Sequence, residues 1–336
     1  MTHTEIEEIK ELLSVRRKIV IVTHKNPDGD AMGSSLGMYN YLLRKKHSVK
    51  VITPNGYPTF LAWLPGDDKV IEYSESPEAA QARIKKADVI FCLDFNALRR
   101  IDDVGDLVKK SKAIKILIDH HPQPEKFADY LFHNKKSSST AQLVFDFINL
   151  MGDKKFINRK SANCLYTGIM TDTLNFRIST TSAHTHRVTA ELMEAGAQNS
   201  LAFANVFDTN SEDRVRMLGY CLQKMKVFKE FHAAFISLSS SELKKFNFQK
   251  GDTEGLVNYP LSIGGIHFSA LFTEVKGEIR ISFRSKGNFD VNKFARKNFN
   301  GGGHTNAAGG EAQGTLDEAV LCFVNLLPEY KDELQR

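Results

Sequence analysis

The first half of the chain alternates short apolar runs with segments of helical spacing. Residues 18–23, 88–93 and 114–118 are continuous apolar runs, typical of strands buried on both faces, and 49–53 predicts another strand. Apolar spacing and capping residues predict the helices, which we place at 2–14, 30–43, 77–86, 139–151, 161–174 and 181–195. The βαβα order predicts an α/β fold with a doubly wound, mainly parallel sheet.

The second half follows a different pattern. Residues 200–228 are largely helical and charged. They are followed by strands at 233–238, 267–275 and 278–285, of which the last two flank a short hairpin loop at Lys276-Gly277. Helices are predicted at 290–298 and 316–327. We therefore expect a smaller α+β domain with a mixed sheet, joined to the first domain by a helical connector.

Length and composition limit the class of protein. The chain has 336 residues, which favours two domains, and its 42% hydrophobic and 25% charged content is ordinary for a soluble globular protein. The longest apolar runs are far shorter than the ~20 residues of a membrane span, and the start of the chain has no apolar core of a secretory signal. The four cysteines are scattered in apolar segments, so we expect buried, reduced thiols and a cytoplasmic location.

The charge distribution is uneven. The formal net charge of +5 is too small to identify a partner. Residues 276–297, however, carry seven lysines and arginines against two acids. This strip suits an anionic ligand such as phosphate, and a solvated basic face is the alternative.

Metal-ligand residue types follow the predicted strands. Ligands bind outside the carboxyl ends of the strands in an open parallel sheet, so these side chains should converge at one edge. Each acid alone has an ordinary explanation, such as a turn or a helix cap. Taken together, they predict a metal site. The predicted ligands are His24, Asp28 and Asp30 after the first strand, Asp94 after the third, His120 after the fourth, and Asp172 in an apolar helix.

This set of side chains suits two divalent cations. Carboxylates with some imidazole and no thiolate favour Mn²⁺ or Mg²⁺ over a metal that prefers thiolates. Two such ions can share a bridging carboxylate and a bridging hydroxide that attacks phosphorus. The four carboxylates provide the anionic charge that two cations need. We expect no covalent enzyme intermediate, because the hydroxide serves as the nucleophile.

A glycine-rich segment, residues 301–310 (GGGHTNAAGG), is the second candidate site. Successive glycines allow backbone amides to approach an anion closely, and we expect a helix to begin here. A flexible turn is the alternative. Arg284, at the end of a predicted strand, can bind phosphate through two hydrogen bonds. The predicted substrate-binding residues are Arg284, Ser285, Lys286, Gly302, Gly303, His304 and Thr305.

These motifs resemble the DHH phosphoesterase superfamily over essentially the whole chain. The triplet that names the family is Asp119-His120-His121, and the second half resembles the DHH-associated domain through Gly301–His304. The resemblance implies a catalytic domain at 1–198, a connector at 199–228 and a substrate-binding domain at 229–336. It also implies Asp94 as the bridging carboxylate, His121 acting on the substrate phosphate or the leaving oxygen, and Asp119 orienting an imidazole.

Within the superfamily, chain length and residues 252–258 (DTEGLVN) resemble one branch. That branch hydrolyses very short oligoribonucleotides (nanoRNA) and removes the 3′-phosphate of 3′-phosphoadenosine 5′-phosphate (pAp). A phosphodiesterase of cyclic or linear signalling dinucleotides is the first alternative. A non-catalytic nucleotide-binding module is the second, although no ligand is missing. We expect no membrane association and no obligate protein partner, and either a monomer or a homodimer.

Overall fold

The chain folds into two compact units, Met1–Thr209 and Asn210–Arg336. The structure is a computed structural model that describes residues 1–249 and 251–335. The division falls within the segment predicted as a connector. The helix before the division buries Ala202 and Val206 in the core of the first unit, and the helix after it buries Met217 and Cys221 in the second.

The first unit is built on a six-stranded parallel sheet, which confirms the predicted doubly wound fold. The strand order is β3-β2-β1-β4-β5-β6, so the chain reverses its winding direction between β1 and β4. The strands are β1 Lys18–Val22, β2 Ser48–Thr53, β3 Ile71–Glu72, β4 Val89–Leu93, β5 Ile114–Asp119 and β6 Tyr130–His133. The helices are α1 His3–Leu12, α2 Gly29–Arg44, α3 Pro77–Lys85, α4 Asp103–Lys110, α5 Thr140–Leu150, α6 Arg159–Asp172, α7 Ala183–Glu194 and α8 Asn199–Phe207.

Alternate residues of the central strands supply two cores. Ile19 and Ile21 of β1 face one cluster, which α2, α5 and α6 complete. Val20 and Val22 face the other, against α3 and α4. Burial of both faces explains why β1 reads as an uninterrupted apolar run.

The second unit contains a mixed sheet, also as predicted. Its order is β11-β12-β10-β9-β8-β7, and only the β8–β9 pair among these is parallel. The elements are α9 Glu212–Lys224, β7 Lys226–Phe228, β8 Ala233–Leu238, α10 Ser240–Lys245, β9 Phe268–Val275, β10 Glu278–Ser285, α11 Val291–Asn298, β11 Gly302–His304, β12 Ala307–Ala312, α12 Leu316–Leu326 and α13 Lys331–Leu334. Its core is rich in phenylalanine.

The prediction that a helix begins in the glycine-rich segment is wrong. Gly302–His304 and Ala307–Ala312 form a β-hairpin, β11 and β12, and β12 pairs with β10. Gly301 precedes β11 and Gly303 lies within it, and a Cβ at these positions would be 2.0 Å from Gly309 O and 2.4 Å from Ala307 O, respectively. The glycines therefore permit close strand contact.

Three of the four cysteines lie in the interior. Cys92, Cys164 and Cys221 are buried as predicted, whereas Cys322 is exposed, so burial was wrong for that residue. Among the described helices, none combines the length and the apolar content needed to cross a bilayer.

Candidate metal centre

The predicted ligands of the first unit meet at the carboxyl edge of its sheet. His24 lies just beyond β1, Asp94 just beyond β4, and His120 just beyond β5. The six predicted ligands form two groups there. The ligand atoms of His24, Asp28 and Asp94 lie within 4.8 Å of one another, and so do those of Asp30, His120 and Asp172.

Asp94 lies between the two groups. Its Oδ2 is 3.4 Å from His24 Nε2, and its Oδ1 is 3.6 Å from His120 Nε2. The residue is almost fully buried and has a φ of 66°, a left-handed conformation that is costly for a residue with a Cβ. The backbone turn after β4 thus holds the Asp94 carboxylate so that one oxygen faces the imidazole of His24 and the other faces that of His120.

Backbone carbonyls orient the two imidazoles. His24 Nδ1 lies 2.9 Å from the carbonyl oxygen of Lys25, and His120 Nδ1 lies 3.3 Å from that of Ser137. Each carbonyl accepts a hydrogen bond when Nδ1 carries the proton, and that tautomer leaves the Nε2 lone pair directed at the carboxylates. This is the usual arrangement around metal-binding histidines.

The start of α5 holds the carboxylates from another side. The backbone amides of Thr140 and Ala141 donate to Asp30 Oδ2 and Oδ1 at 2.6 and 2.8 Å. The Thr140 hydroxyl donates to Asp94 Oδ1 at 2.8 Å. Ser139 caps the helix. The sequence gives no sign of this contact, because Thr140 lies 46 residues after Asp94.

Glycines bring α6, which carries Asp172, close to α2, which carries Asp30. A Cβ on Gly168 would lie 3.1 Å from Asp30 Oδ1, and a Cβ on Gly33 would lie 2.6 Å from the carbonyl oxygen of Cys164. Larger residues at these positions would separate the helices. Asp172 Oδ2 consequently lies 3.6 Å from His120 Nε2.

The charges of the site fit divalent cations. Burial raises the pKa of Asp30 well above its ordinary value, and the negative charges of Asp94 and Asp172 raise it further. Burial would lower the pKa of His120, but the charges of Asp172, Asp94 and Asp119 outweigh it and raise that pKa. The oxygen and nitrogen donors match hard cations such as Mn²⁺ and Mg²⁺. A cation in the centre would relieve the repulsion among these carboxylates.

Asp119 and His121 form a buried pair beside the two groups. His121 Nδ1 lies 2.7 Å from Asp119 Oδ1. Burial raises the pKa of Asp119 to about 6, and the charge of Asp94 adds to the effect. Burial also lowers the pKa of His121 well below its ordinary value. Asp119 is therefore placed to fix the ring of His121.

The substrate-binding candidates lie in the second unit. The strand register pairs both Arg284 and His304 with Ala307, so they lie in one row across three strands. The Ser285 hydroxyl donates to the carbonyl of Phe289 at 2.7 Å, whereas Lys286 and Thr305 are exposed. Gly302 lies with Gly303 on β11, but the Gly303 amide already donates to Asn292 Oδ1 at 2.9 Å.

The chain is similar to proteins of one family throughout its length. The sequence profile of the DHH family, N-terminal domain, matches residues 18–169, and that of the DHHA1 domain matches residues 230–329. The chain is 31% identical over 322 residues to the bifunctional oligoribonuclease and PAP phosphatase NrnA of Bacillus subtilis, covering 95% of this chain and 96% of that protein.

A solved structure and a more distant relative extend the comparison. The crystal structure of an exopolyphosphatase-related protein from Bacteroides fragilis superposes with a TM-score of 0.96 at 44% identity, covering 100% of this chain and 98% of that one. The cyclic-di-AMP phosphodiesterase PdeA of Listeria monocytogenes is 24% identical to this chain. The aligned region covers 96% of this chain and 49% of that protein.

Proposed function

The chain belongs to the DHH family, and on that premise we propose that it hydrolyses short oligoribonucleotides to mononucleotides and removes the 3′-phosphate of pAp. The activities for which the B. subtilis relative is named support this proposal, because this chain and that protein align over nearly their entire lengths. The two domain profiles occur in the same order that the motifs predict.

The position of Asp94 carries the catalytic part of the proposal. One carboxylate faces both His24 and His120, at 3.4 and 3.6 Å, with further carboxylates on either side. We assign His24, Asp28 and Asp94 to one divalent cation and Asp30, Asp94, His120 and Asp172 to the other. When bound, such a pair lowers the pKa of water and stabilises charge on phosphoryl oxygens. Mn²⁺ is the proposed metal, with Mg²⁺ or Co²⁺ as alternatives.

The remaining groups of the first unit position the reaction. Asp119 holds the ring of His121 through Nδ1, at 2.7 Å. We propose that His121 contacts the substrate phosphate or delivers a proton to the leaving oxygen. Because no serine, cysteine or lysine is needed as nucleophile, the reaction proceeds without a covalent enzyme intermediate.

We propose that the second unit carries the predicted substrate-binding residues. Arg284 and His304 share one row of the sheet, and Lys286 follows the same strand. Guanidinium, imidazole and ammonium groups all suit a phosphate or a base edge. Ser285, Gly302, Gly303 and Thr305 remain candidates from the same two segments.

A cyclic or linear dinucleotide phosphodiesterase is the second candidate, since the Listeria relative carries that name. A substrate panel separates the two. Turnover of pAp, a linear diribonucleotide, cyclic di-AMP and inorganic polyphosphate is measured on one preparation, with Mn²⁺ and Mg²⁺ in parallel. The proposal expects turnover of pAp and the linear diribonucleotide to exceed that of the other two. Preference for cyclic di-AMP or polyphosphate would refute it, and binding without turnover of any of them would leave a nucleotide-binding module.

A further inference from the structure

Two adjacent arginines follow Asp94 on the 3-10 turn Leu98–Ile101, and their surroundings differ. Arg99 Nη1 pairs with Glu125 Oε1 at 2.7 Å, and its side chain is 65% exposed. Arg100 is half-buried. In the part of the chain that the structure describes, its guanidinium takes part in no hydrogen bond or ion pair. A half-buried guanidinium without an anionic partner in the protein is available to an anionic ligand, and its partial burial would strengthen such a contact.

The backbone holds Arg100 beside the metal centre. The amide of Lys25, the residue after His24, donates to the carbonyl oxygen of Arg100 at 2.8 Å. Lys25 Nζ also pairs with Asp102 at 2.9 Å, which fastens the arginine turn to the loop after β1 a second time. Lys25 is thereby neutralised, whereas Arg100 is not.

The charge of Arg100 reaches the reacting groups. Burial lowers the pKa of His121, and the positive charge of Arg100 lowers it further. The same charge acts on His24 and Asp119. The positive charge of Arg100 therefore acts on His121, His24 and Asp119, which agrees with the backbone contact between Lys25 and Arg100.

The chemistry of the centre calls for such a cation. The carboxylates of Asp28, Asp30, Asp94 and Asp172 would balance the charge of two divalent ions, so a bound phosphate would add negative charge that these ions do not offset. A guanidinium matches phosphate oxygens with two parallel hydrogen bonds. We propose that Arg100 is a phosphate-binding residue of the first unit, which contacts the phosphate group held at the metal centre. This inference rests on the proposed function to the extent that the ligand is a phosphate ester.

The experiment uses the full chain loaded with Mn²⁺ and its variants Arg100→Gln, Arg100→Lys and Arg99→Gln. Isothermal titration calorimetry measures the binding of inorganic phosphate. We expect Arg100→Gln to bind phosphate at least about 10-fold more weakly, the size of a lost charge-assisted contact. Arg100→Lys should retain part of the affinity, and Arg99→Gln should stay within about 2-fold of the wild type, because it loses only an exposed ion pair.

A titration of the metal-free proteins with Mn²⁺ separates this role from a structural one. Removing a positive charge near the carboxylates should leave Mn²⁺ affinity unchanged or raise it, while phosphate affinity falls. Parallel losses of Mn²⁺ affinity, phosphate affinity and melting temperature would overturn the proposal. So would wild-type phosphate affinity in Arg100→Gln, an equal loss in Arg99→Gln, or no phosphate binding by the Mn²⁺-loaded wild type.

The outcome is distinguishable from failure of the proposed function. If the wild type binds Mn²⁺ and phosphate but turns over neither pAp nor diribonucleotides, the nucleotide assignment fails and the Arg100 assignment is still decided by the calorimetry. Where activity is present, Arg100→Gln should lower kcat/KM for pAp by at least about 10-fold, and Arg99→Gln by less than about 2-fold.

Discussion

The hydroxyl of Thr140 donates a hydrogen bond to Asp94 Oδ1 at 2.8 Å, at the buried carboxyl edge of the sheet. Asp94 reaches this position through a left-handed backbone turn, and Thr140 lies at the start of a helix 46 residues later in the chain. The contact fixes which way the carboxylate turns. Its oxygens can then face His24 and His120 separately.

Thr140→Val tests this hydrogen bond with little change of shape. We expect a roughly 10-fold or greater loss of kcat/KM, because a buried hydrogen bond to a charged group contributes ~1.5–3 kcal/mol. Thr140→Ser retains the hydroxyl and should stay within about 3-fold of the wild type. Steady-state kinetics on pAp measures both. Equal losses in the two variants would show that the methyl packing, not the hydroxyl, matters.

Asp94→Asn should separate metal binding from folding. The amide keeps the shape of the side chain but removes the charge that two cations would share. We expect fewer than two Mn²⁺ per chain by calorimetry and a loss of turnover of about 1000-fold or more, which corresponds to ~4 kcal/mol.

Asp146→Asn is the matched control for that variant. Asp146 lies on α5 and pairs with the half-exposed His184 at 2.8 Å, away from both ligand groups. Its loss should leave Mn²⁺ stoichiometry and turnover unchanged. Wild-type activity in Asp94→Asn would contradict the bridging assignment.

Gly302 and Gly303, on strand β11 of the hairpin, allow a test of stability. Gly303 has a φ of 154°, and a Cβ there would lie 2.4 Å from Ala307 O, whereas a Cβ on Gly302 would meet nothing closer than 3.6 Å. Gly303→Ala should therefore destabilise the second unit by ~1–3 kcal/mol or more, from backbone strain and the clash. Gly302→Ala should change little. Urea unfolding measures the difference, and similar behaviour of the two variants would be inconsistent with the hairpin.

The stability of the second unit should depend on Glu242 in acid. Burial alone would raise the pKa of Glu242, but hydrogen bonds from Lys224, Ser239 and Tyr220 lower it from 4.5 to about 2. A depressed pKa contributes stability above pH 4.5 that is lost as the pH falls toward 2. The difference in free energy of unfolding between the wild type and Glu242→Gln should therefore shrink over this range. If the difference in free energy of unfolding between the two proteins did not change with pH, the lowered pKa of Glu242 would be wrong.

The sequence predicted those parts of the fold that local pattern determines. The buried strands read as apolar runs, and parallel strand ends must share an edge, so Asp94 and His120 could be placed together from sequence. Strands β3 and β6 escaped prediction because β3 has two residues and β6 is partly exposed. The glycine segment lacks a side-chain pattern, and its strand identity comes from pairing with β10.

Contacts between distant residues account for what the sequence could not show. Arg99 and Arg100 are indistinguishable in a sequence, and only the position of Glu125, 26 residues after Arg99, tells them apart. The capping residue of α5 was foreseeable from its type, but not that the next hydroxyl, on Thr140, would reach Asp94. Side-chain roles of this kind depend on tertiary packing.

The most direct test of the account is anomalous X-ray scattering from crystals of the protein soaked in Mn²⁺. The account predicts two manganese peaks ~3.5–4 Å apart, on either side of the Asp94 carboxylate. One should contact His24 and Asp28, and the other Asp30, His120 and Asp172. A single peak, or peaks that do not share Asp94, would contradict the central claim.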